Sequence, residues 1–293
     1  DQYRVFSPDG ALLATFGEKG SKPGQVMDGF DFEIDIPRKR LVVADNNNYR
    51  IQIFALDGSV AATKDLTKIT NPIGPKQKPN HITLQLTDDA AHSIQMGWRT
   101  TTDVTGTVVE IVGGDSFDPA SARRVSSKDK AWYFDSNLGP YNVHEIRVDG
   151  LKPNSSYSYR VGDGSADRWS KNSTFTTQSG DDETYTAVVL GDSRNRYDVW
   201  EQVVNLASGD KPRFMVSTGD LVRDGDQQYD WDRWFDRASD VFMSVAFMPV
   251  IGNHEHNAPN YFAQFALPTN APDSLKEHCY SFDVGASHWV ALN

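Results

Sequence analysis

The chain has a single cysteine, Cys279, among its 293 residues. One cysteine excludes an intrachain disulfide framework and any metal site built on cysteine pairs; the residue reads as a small core side chain rather than a reactive thiol. Long apolar runs are also missing. The longest, over residues 241–251, falls short of the roughly 18 residues that a membrane-spanning helix needs. Positive charge is scarce: 29 Lys and Arg stand against 40 Asp and Glu, a formal net charge of −11 that argues against nucleic acid as a partner. Clustered carboxylates can hold cations instead. Low-complexity tracts are absent, and the balance of apolar and charged residues is that of an ordinary globular protein. No charged-then-apolar leader opens the chain, which starts at Asp1 in what reads as a strand, so a fragment or processed product is expected.

The length predicts two or three domains. Breaks rich in Pro, Gly and polar residues, NPIGPKQKPN at 71–80 and TTQSGDDE at 176–183, divide the chain into zones 1–70, 78–178 and 184–293. The first zone repeats itself. YRVFSPDGALLATFG and, from Tyr49, YRIQIFALDGSVAAT each read as strand, Asp-Gly turn, strand, with Asp9-Gly10 and Asp57-Gly58 as the hairpin turns. A period of about 46 residues suggests stacked supersecondary units such as propeller blades. KPGQ followed by RKRLVVADNNNYRIQIFALDG resembles the NHL repeat, and about one and a half repeats fit, so a partial propeller is expected.

The second zone carries short alternating strands, among them HITLQLT, SIQMGWRT and SYSYRVGDG, at the spacing of a β-sandwich, with Trp98 as an inward core aromatic. LKPNSSY at 151–157 resembles the corner of fibronectin type III domains, in which a tyrosine hydroxyl bonds back to upstream backbone; Tyr157 is then structural. A scaffold role is expected for this zone.

From Thr184 onward, apolar strands alternate with amphipathic helices, the pattern of βαβ units and a parallel sheet. Trp200, Val203, Val204 and Ala207 recur at i, i+3, i+4 and i+7, as do Trp231, Trp234, Phe235 and Ala238, predicting two helices whose apolar faces cover the sheet. Ligand groups in such folds gather beyond the carboxyl ends of the strands. Each predicted strand here runs into glycine followed by a metal-capable side chain: Gly191-Asp192, Gly219-Asp220, and Gly252-Asn253-His254-Glu255. Glycine lets the chain turn sharply beside an ion, and oxygen and imidazole donors suit Mn, Fe or Zn. One Gly-Asp marks an ordinary turn; three such strand-end matches in order mark a site.

GDSR, GDLVRDG and GNHE resemble the first three metal motifs of the calcineurin-like metallophosphoesterases, and a sandwich ahead of such a core resembles the N-terminal domain of purple acid phosphatases. The resemblance implies a multidomain chain: an NHL-like partial propeller, an all-β fibronectin-like sandwich and an incomplete α/β metallophosphoesterase sandwich. It implies two metal ions (Fe, Mn or Zn), with Asp192 on the first, Asp220 bridging, and Asn253 on the second. His254 then contacts phosphate and assists the leaving group while a metal-bound hydroxide attacks a small phosphate ester. A secreted or periplasmic location is implied by the resemblance alone.

Two residues depart from the family pattern. Arg194 stands where many members have histidine, and Arg223 where a purple acid phosphatase has its iron-binding tyrosine. Arginine has no lone pair to offer a metal. The first metal position is therefore expected to be weakened, with Arg194, helped by Arg196, either contacting substrate phosphate through its guanidinium fork or compensating the weakened metal; the bland alternative, as strong for Arg196 as the functional one, is an ordinary surface arginine. The family's further histidine ligands follow a strand that CYSFDVGASHWVALN resembles. The chain is therefore expected to bind metal poorly and hydrolyse little, the full-length parent being the enzyme. His288 reads as a packed core histidine, His256 and His278 lack the spacing to substitute for the missing ligands, and His256 is placed at the pocket wall. The alternative is a noncatalytic binding protein with a decayed phosphatase-like domain, which Arg194 and Arg223 favour and the intact Asp192, Asp220, Asn253 and His254 oppose.

Overall fold

Strand alternation in the first zone resolves into two small sheets. The computed structural model describes residues 2–27, 29–45, 48, 50–55, 57, 59–65, 73–180 and 184–293, and the chain separates into two units, residues 1–72 and 73–293. In the first, β1 (Tyr3–Phe6) and β2 (Leu12–Phe16) form an antiparallel hairpin. Its turn contains Asp9 and Gly10, the latter at φ 87°. β3 (Gly29–Asp35), β4 (Arg40–Asp45), β5 (Arg50–Ala55) and β6 (Val60–Asp65) make an antiparallel meander in chain order. Tyr49 and Gly58, which belong to the second repeat and its turn, lie outside the described residues. So do Asn71 and Pro72 of the first predicted break and Asp181, Asp182 and Glu183 of the second. A hairpin and one four-stranded sheet close no barrel or propeller among the described residues.

The apolar core of this unit is Phe16, Val26, Leu41, Val43 and Phe54. Beside it lies a polar core that periodicity does not announce. Asp45, fully buried, accepts from Arg50 Nε at 2.6 Å, Gln52 Nε2 at 2.9 Å and the backbone N–H of Met27 at 2.8 Å. The Arg50 guanidinium in turn donates to the carbonyls of Ser21, Lys22 and Gln25, which ties the KPGQ segment to β4 and β5. A buried charge persists only with this degree of pairing.

In the second unit β7 (Asn80–Gln85), β8 (Ser93–Thr100), β9 (Val108–Gly113), β10 (Arg123–Ser126), β11 (Trp132–Ser136), β12 (Gly139–Asp149), β13 (Ser156–Gly162) and β14 (Ser173–Thr176) build two four-stranded antiparallel sheets, ordered β11-β12-β8-β7 and β10-β9-β13-β14. Trp98 is buried between them and stacks on His144 at 5.2 Å. Burial pushes the His144 pKa down to about 4, and the ring is held by Thr100 and Thr107 hydroxyls. The Tyr157 hydroxyl accepts from the Lys152 N–H at 2.7 Å, the corner expected from LKPNSSY.

β15 (Ala187–Leu190), α1 (Tyr197–Gly209), β16 (Phe214–Ser217), α2 (Gln228–Phe242) and β17 (Ala246–Pro249) then form a parallel three-stranded sheet with two crossover helices. A short helix, α3 (Pro259–Phe262), and the hairpin of β18 (Tyr280–Val284) and β19 (Ser287–Ala291) follow. All four predicted positions on α2 are buried. On α1 the stripe is narrower than predicted: Trp200 and Val204 are buried but Val203 is 41% exposed. That helix meets α2 along one line, through stacked Trp200 and Trp234 rings, so a four-residue period suffices. His288 is a correction. It is exposed and pairs with Asp283, directly opposite, at 2.6 Å, because a two-stranded hairpin leaves one face uncovered. Cys279 is half-buried.

The outer face of the β11-β12-β8-β7 sheet carries the α/β part. Arg99 and Asp232, each 1% exposed, pair at 2.5 Å; His81 meets Gln264 at 2.8 Å, and the Tyr141 hydroxyl accepts from Gln264 Nε2 at 2.9 Å. The sandwich and the α/β part thus share one core. A cavity of about 360 Å³ opens at this seam, with Glu145 and Glu277 in its wall. Burial, reinforced by the charge of Glu145, pushes the Glu277 pKa up to about 6. Because the folded value lies above the unfolded one, near 4.3 for an ordinary glutamate, the native state binds the extra proton between them. Stability is therefore expected to fall as pH rises from about 4.3 through about 6 and then to level off. Urea unfolding across that range checks this: Glu277→Gln should flatten the fall, and an unchanged slope would assign it to other groups.

Candidate functional site

The parallel order β15-β16-β17 places three carboxyl ends side by side, and the backbone keeps pairing beyond the strands. Thr218 N–H donates to the Leu190 carbonyl at 2.9 Å, Asp192 N–H to Gly219 at 3.2 Å and Val250 N–H to Ser217 at 2.9 Å. Three loops therefore leave the sheet in contact. Gly219, at φ 102°, permits that approach: a Cβ there would lie 2.7 Å from Gly252 Cα. Asp192 and Asp220 follow their glycines with φ of 53° and 56°, in the left-handed region. Asp tolerates this conformation better than most residues, but it persists only where the surroundings enforce it.

At Asp220, Glu255 is what enforces it. Its carboxylate is fully buried. Oε2 accepts from the N–H groups of Asp220 at 2.9 Å and Gly252 at 2.7 Å, and Oε1 accepts from Leu221 at 2.8 Å and Val222 at 3.2 Å. Burial pushes the Glu255 pKa above its ordinary value, while the four N–H donors pull it down. Sequence reasoning gave this residue no role. The available signal was its place three residues after Gly252, where an N-terminal turn commonly receives a carboxylate; here it closes the short 3₁₀ turn Asn253–Glu255. Gly225 is bound into the same knot, for a Cβ there would sit 2.3 Å from the Glu255 carbonyl oxygen.

Asp220 Oδ1 accepts from the His254 N–H at 3.0 Å. His254 Nδ1 lies 2.6 Å from the Arg223 carbonyl oxygen, which assigns the hydrogen to Nδ1 and turns Nε2 toward the site. Arg194 completes the group: its Nε is 3.3 Å from Asp192 Oδ1 and 3.8 Å from Asp220 Oδ2, and its Nη1 contacts His254 Nε2. Asn253 is exposed between Gly252 and His254, both of which touch Asp220. Of the predicted site residues, Asp192, Arg194, Asp220 and His254 are brought together directly.

Arg196 is not part of this cluster; it pairs with Asp198 on the surface at 2.9 Å. Arg223 Nε lies 3.7 Å from Asp230 Oδ2, and its carbonyl orients His254. His278 packs against the Phe262 ring. His256 stands beside Asp224 and Asp226, at 3.6 and 3.1 Å; among the described residues these three alone form a group whose potential donor atoms all lie within 4.8 Å of one another. The tryptophans of α2 do more than pack. Trp231 Nε1 donates to the Gly225 carbonyl at 2.9 Å, and Trp234 Nε1 to Ser193 Oγ at 2.9 Å, pinning two of the site's loops from below.

The donor set, two carboxylates and a carboxamide, is hard oxygen chemistry suited to a divalent ion. Asp220 and Asn253 offer the donor types that such an ion takes. The space beside Asp192 does not fit one, because a guanidinium that cannot ligate already spans Asp192 and Asp220.

Comparison with known proteins agrees with this architecture. Residues 79–177 match the family model for the purple acid phosphatase N-terminal domain, and residues 185–288 that for the calcineurin-like phosphoesterases. Purple acid phosphatase 23 of Arabidopsis thaliana is 26% identical over 185 residues, 51% of this chain and 40% of its own length. Purple acid phosphatase 15 of the same plant is 28% identical over 183 residues, 51% of this chain and 34% of its own. Probable inactive purple acid phosphatase 9, also from Arabidopsis thaliana, is 22% identical over 216 residues, 58% of this chain and 32% of its own length. The chain spans well under half of each of these relatives. Among solved structures, a purple acid phosphatase from yellow lupin (Lupinus luteus) seeds superposes with a TM-score of 0.59 at 14% identity, covering 87% of this chain and 51% of that one. PhoD does so with 0.54 at 13%, covering 71% and 50%. Residues 79–177 are thus similar to the purple acid phosphatase N-terminal domain and residues 185–288 to the calcineurin-like phosphoesterases, proteins that use a dinuclear metal centre.

Proposed function

We propose that a chain joining these two domains supplies part of the catalytic centre of a metal-dependent phosphoric ester hydrolase acting on a small phosphate ester. The convergence of Asp192, Asp220 and His254 on one point beyond three parallel strands carries this reading. Asp192 would hold a first ion only where Arg194 gives way, Asp220 would be shared, and Asn253 would hold the second. Bound Fe, Mn or Zn ions would supply Lewis acidity, activating water and clamping the phosphate oxygens. His254, oriented through Nδ1, presents Nε2 to the phosphate or to the departing group. Arg194 offers a fork suited to phosphate oxygens.

The working division is 1–70, 78–178 and 184–293, with the sandwich as scaffold. The reading of the first part as an NHL-like partial propeller rests on its internal repeat and on the KPGQ and RKRLVVADNNNYRIQIFALDG segments.

Hydrolysis of p-nitrophenyl phosphate by the whole protein tests the activity. Turnover should require added Mn²⁺ or Zn²⁺ and vanish in EDTA; turnover indifferent to EDTA would refute the metal-dependent reading. A second reading, a noncatalytic scaffold with a decayed centre, is favoured by the guanidinium between Asp192 and Asp220 and by one relative named as probably inactive. Metal bound without any turnover would select it.

A further inference from the structure

The side chains that converge on this site meet at one cation belonging to the chain itself. We propose that the Arg194 guanidinium is a resident cation of the centre and competes with a metal ion for Asp192 and Asp220. The inference rests on the reading of these two carboxylates as cation ligands, and it adds a specific occupant and a consequence.

Arg194 lies two residues beyond Asp192, close enough for its Nε to stand 3.3 Å from one carboxylate and 3.8 Å from the other. Its side chain is 31% exposed and Asp220 is 14% exposed, so the pairing with Asp220 is screened less than a surface ion pair. A guanidinium stays protonated and offers no lone pair. It can therefore neutralise part of the charge that would attract a divalent ion without ever becoming a ligand, and an ion seated between Asp192 and Asp220 has to displace it. Arg194 Nη1 also contacts His254 Nε2, the nitrogen left facing the site by the Nδ1 contact with the Arg223 carbonyl. One side chain thus covers both the carboxylate pair and the imidazole. Displacement uncovers all three groups at once and frees the guanidinium fork to reach phosphate oxygens. In this arrangement the first cation position and the phosphate-binding arginine are alternative states of the same space.

The test is Mn²⁺ binding to the whole chain, by isothermal titration calorimetry and by metal content after gel filtration, with near-ultraviolet circular dichroism to verify folding. Arg194→Ala should bind Mn²⁺ about tenfold more tightly than wild type, or retain one more ion per chain, since a positive charge beside both carboxylates has been removed. Arg194→Lys, which keeps the charge, should stay near wild type. Adding Asp192→Asn to Arg194→Ala should cancel the gain. Equal affinity and ion count in wild type and Arg194→Ala, or two tightly held ions in wild type, would overturn the competition. Asp220→Asn tests the underlying reading separately. If it leaves Mn²⁺ binding intact, the carboxylates are not the metal site; if it abolishes binding while Arg194→Ala changes nothing, only the role of Arg194 falls. No detectable binding by wild type or Arg194→Ala would overturn both.

Discussion

Glu255→Ala is expected to lower the stability of residues 73–293 by roughly 4 kcal/mol or more and to release the loop that carries Asp220. Four backbone N–H groups, those of Asp220, Leu221, Val222 and Gly252, donate to this one buried carboxylate. Hydrogen bonds to a charged group contribute about 1.5–3 kcal/mol each, and a buried donor left without a partner costs about 1–3 kcal/mol. The four bonds share one acceptor and will not add fully, but even half their sum is a large fraction of a typical domain's stability. Alanine is too short for any of them and leaves space for at most a water or two.

Glu255→Gln separates charge from shape. Its single carbonyl oxygen can serve two of the donors, while its amide nitrogen would face the other two, so an intermediate loss of roughly 2 kcal/mol is expected. All seven tryptophans lie in residues 73–293, so their fluorescence during urea unfolding reports on this unit alone. Amide exchange supplies the local readout. Loss of protection at Asp220, Leu221, Val222 and Gly252 should exceed that elsewhere in the sheet, and protection retained in Glu255→Ala would show that something other than this carboxylate holds the loops.

The same residue shows where reading the sequence stops. Features that repeat along the chain were legible: strand alternation around Trp98, the apolar stripe of Trp231, Trp234, Phe235 and Ala238, and the corner tyrosine Tyr157 with its local bond to Lys152. So was the placement of a glycine followed by Asp or Asn just beyond each of three strand ends. Buried polar groups do not repeat. Asp45, Arg99, Asp232 and Glu255 are charged residues whose burial depends on partners supplied by folding, some of them more than a hundred positions away. Periodicity assigns such residues to the surface by default. His288 fails in the opposite sense. An apolar strand suggested a packed histidine, but the hairpin of β18 and β19 has a covered face and an open one, and alternation puts His288 on the open one. Arg194 was recognisable as a departure from the motif, but its simultaneous reach to Asp192, Asp220 and His254 follows only from how closely the three loops are packed.

The second large effect is expected where the sandwich meets the α/β part. Arg99→Ala and Asp232→Ala should each cost about 3–5 kcal/mol, because each leaves the other charge buried without its partner. Arg99 also donates to Asn80 Oδ1 and to the Ile73 carbonyl, both at 3.0 Å, and Asp232 accepts from Gln228 Nε2 at 2.9 Å. The pair therefore ties β8 to α2, whose tryptophans hold the site loops. The two losses should differ in their dependence on pH. His81 Nε2 lies 3.7 Å from Asp232, and the His81 pKa is held well below its ordinary value, first by burial and then by the charge of Arg99. Removing Arg99 withdraws that repulsion and leaves Asp232 as a neighbour that favours a protonated imidazole, so the folded pKa of His81 rises. A raised folded pKa adds stability that is present at low pH and lost as pH climbs through it. Arg99→Ala should therefore be less damaging near pH 5 than near pH 8. Asp232→Ala leaves His81 facing only the arginine, so no such relief is expected. Equal pH profiles for the two variants in urea unfolding would show that His81 does not respond to the pair. Replacing both partners, as Arg99→Met with Asp232→Leu, should recover most of the loss, since two matched apolar groups leave no charge stranded in the seam.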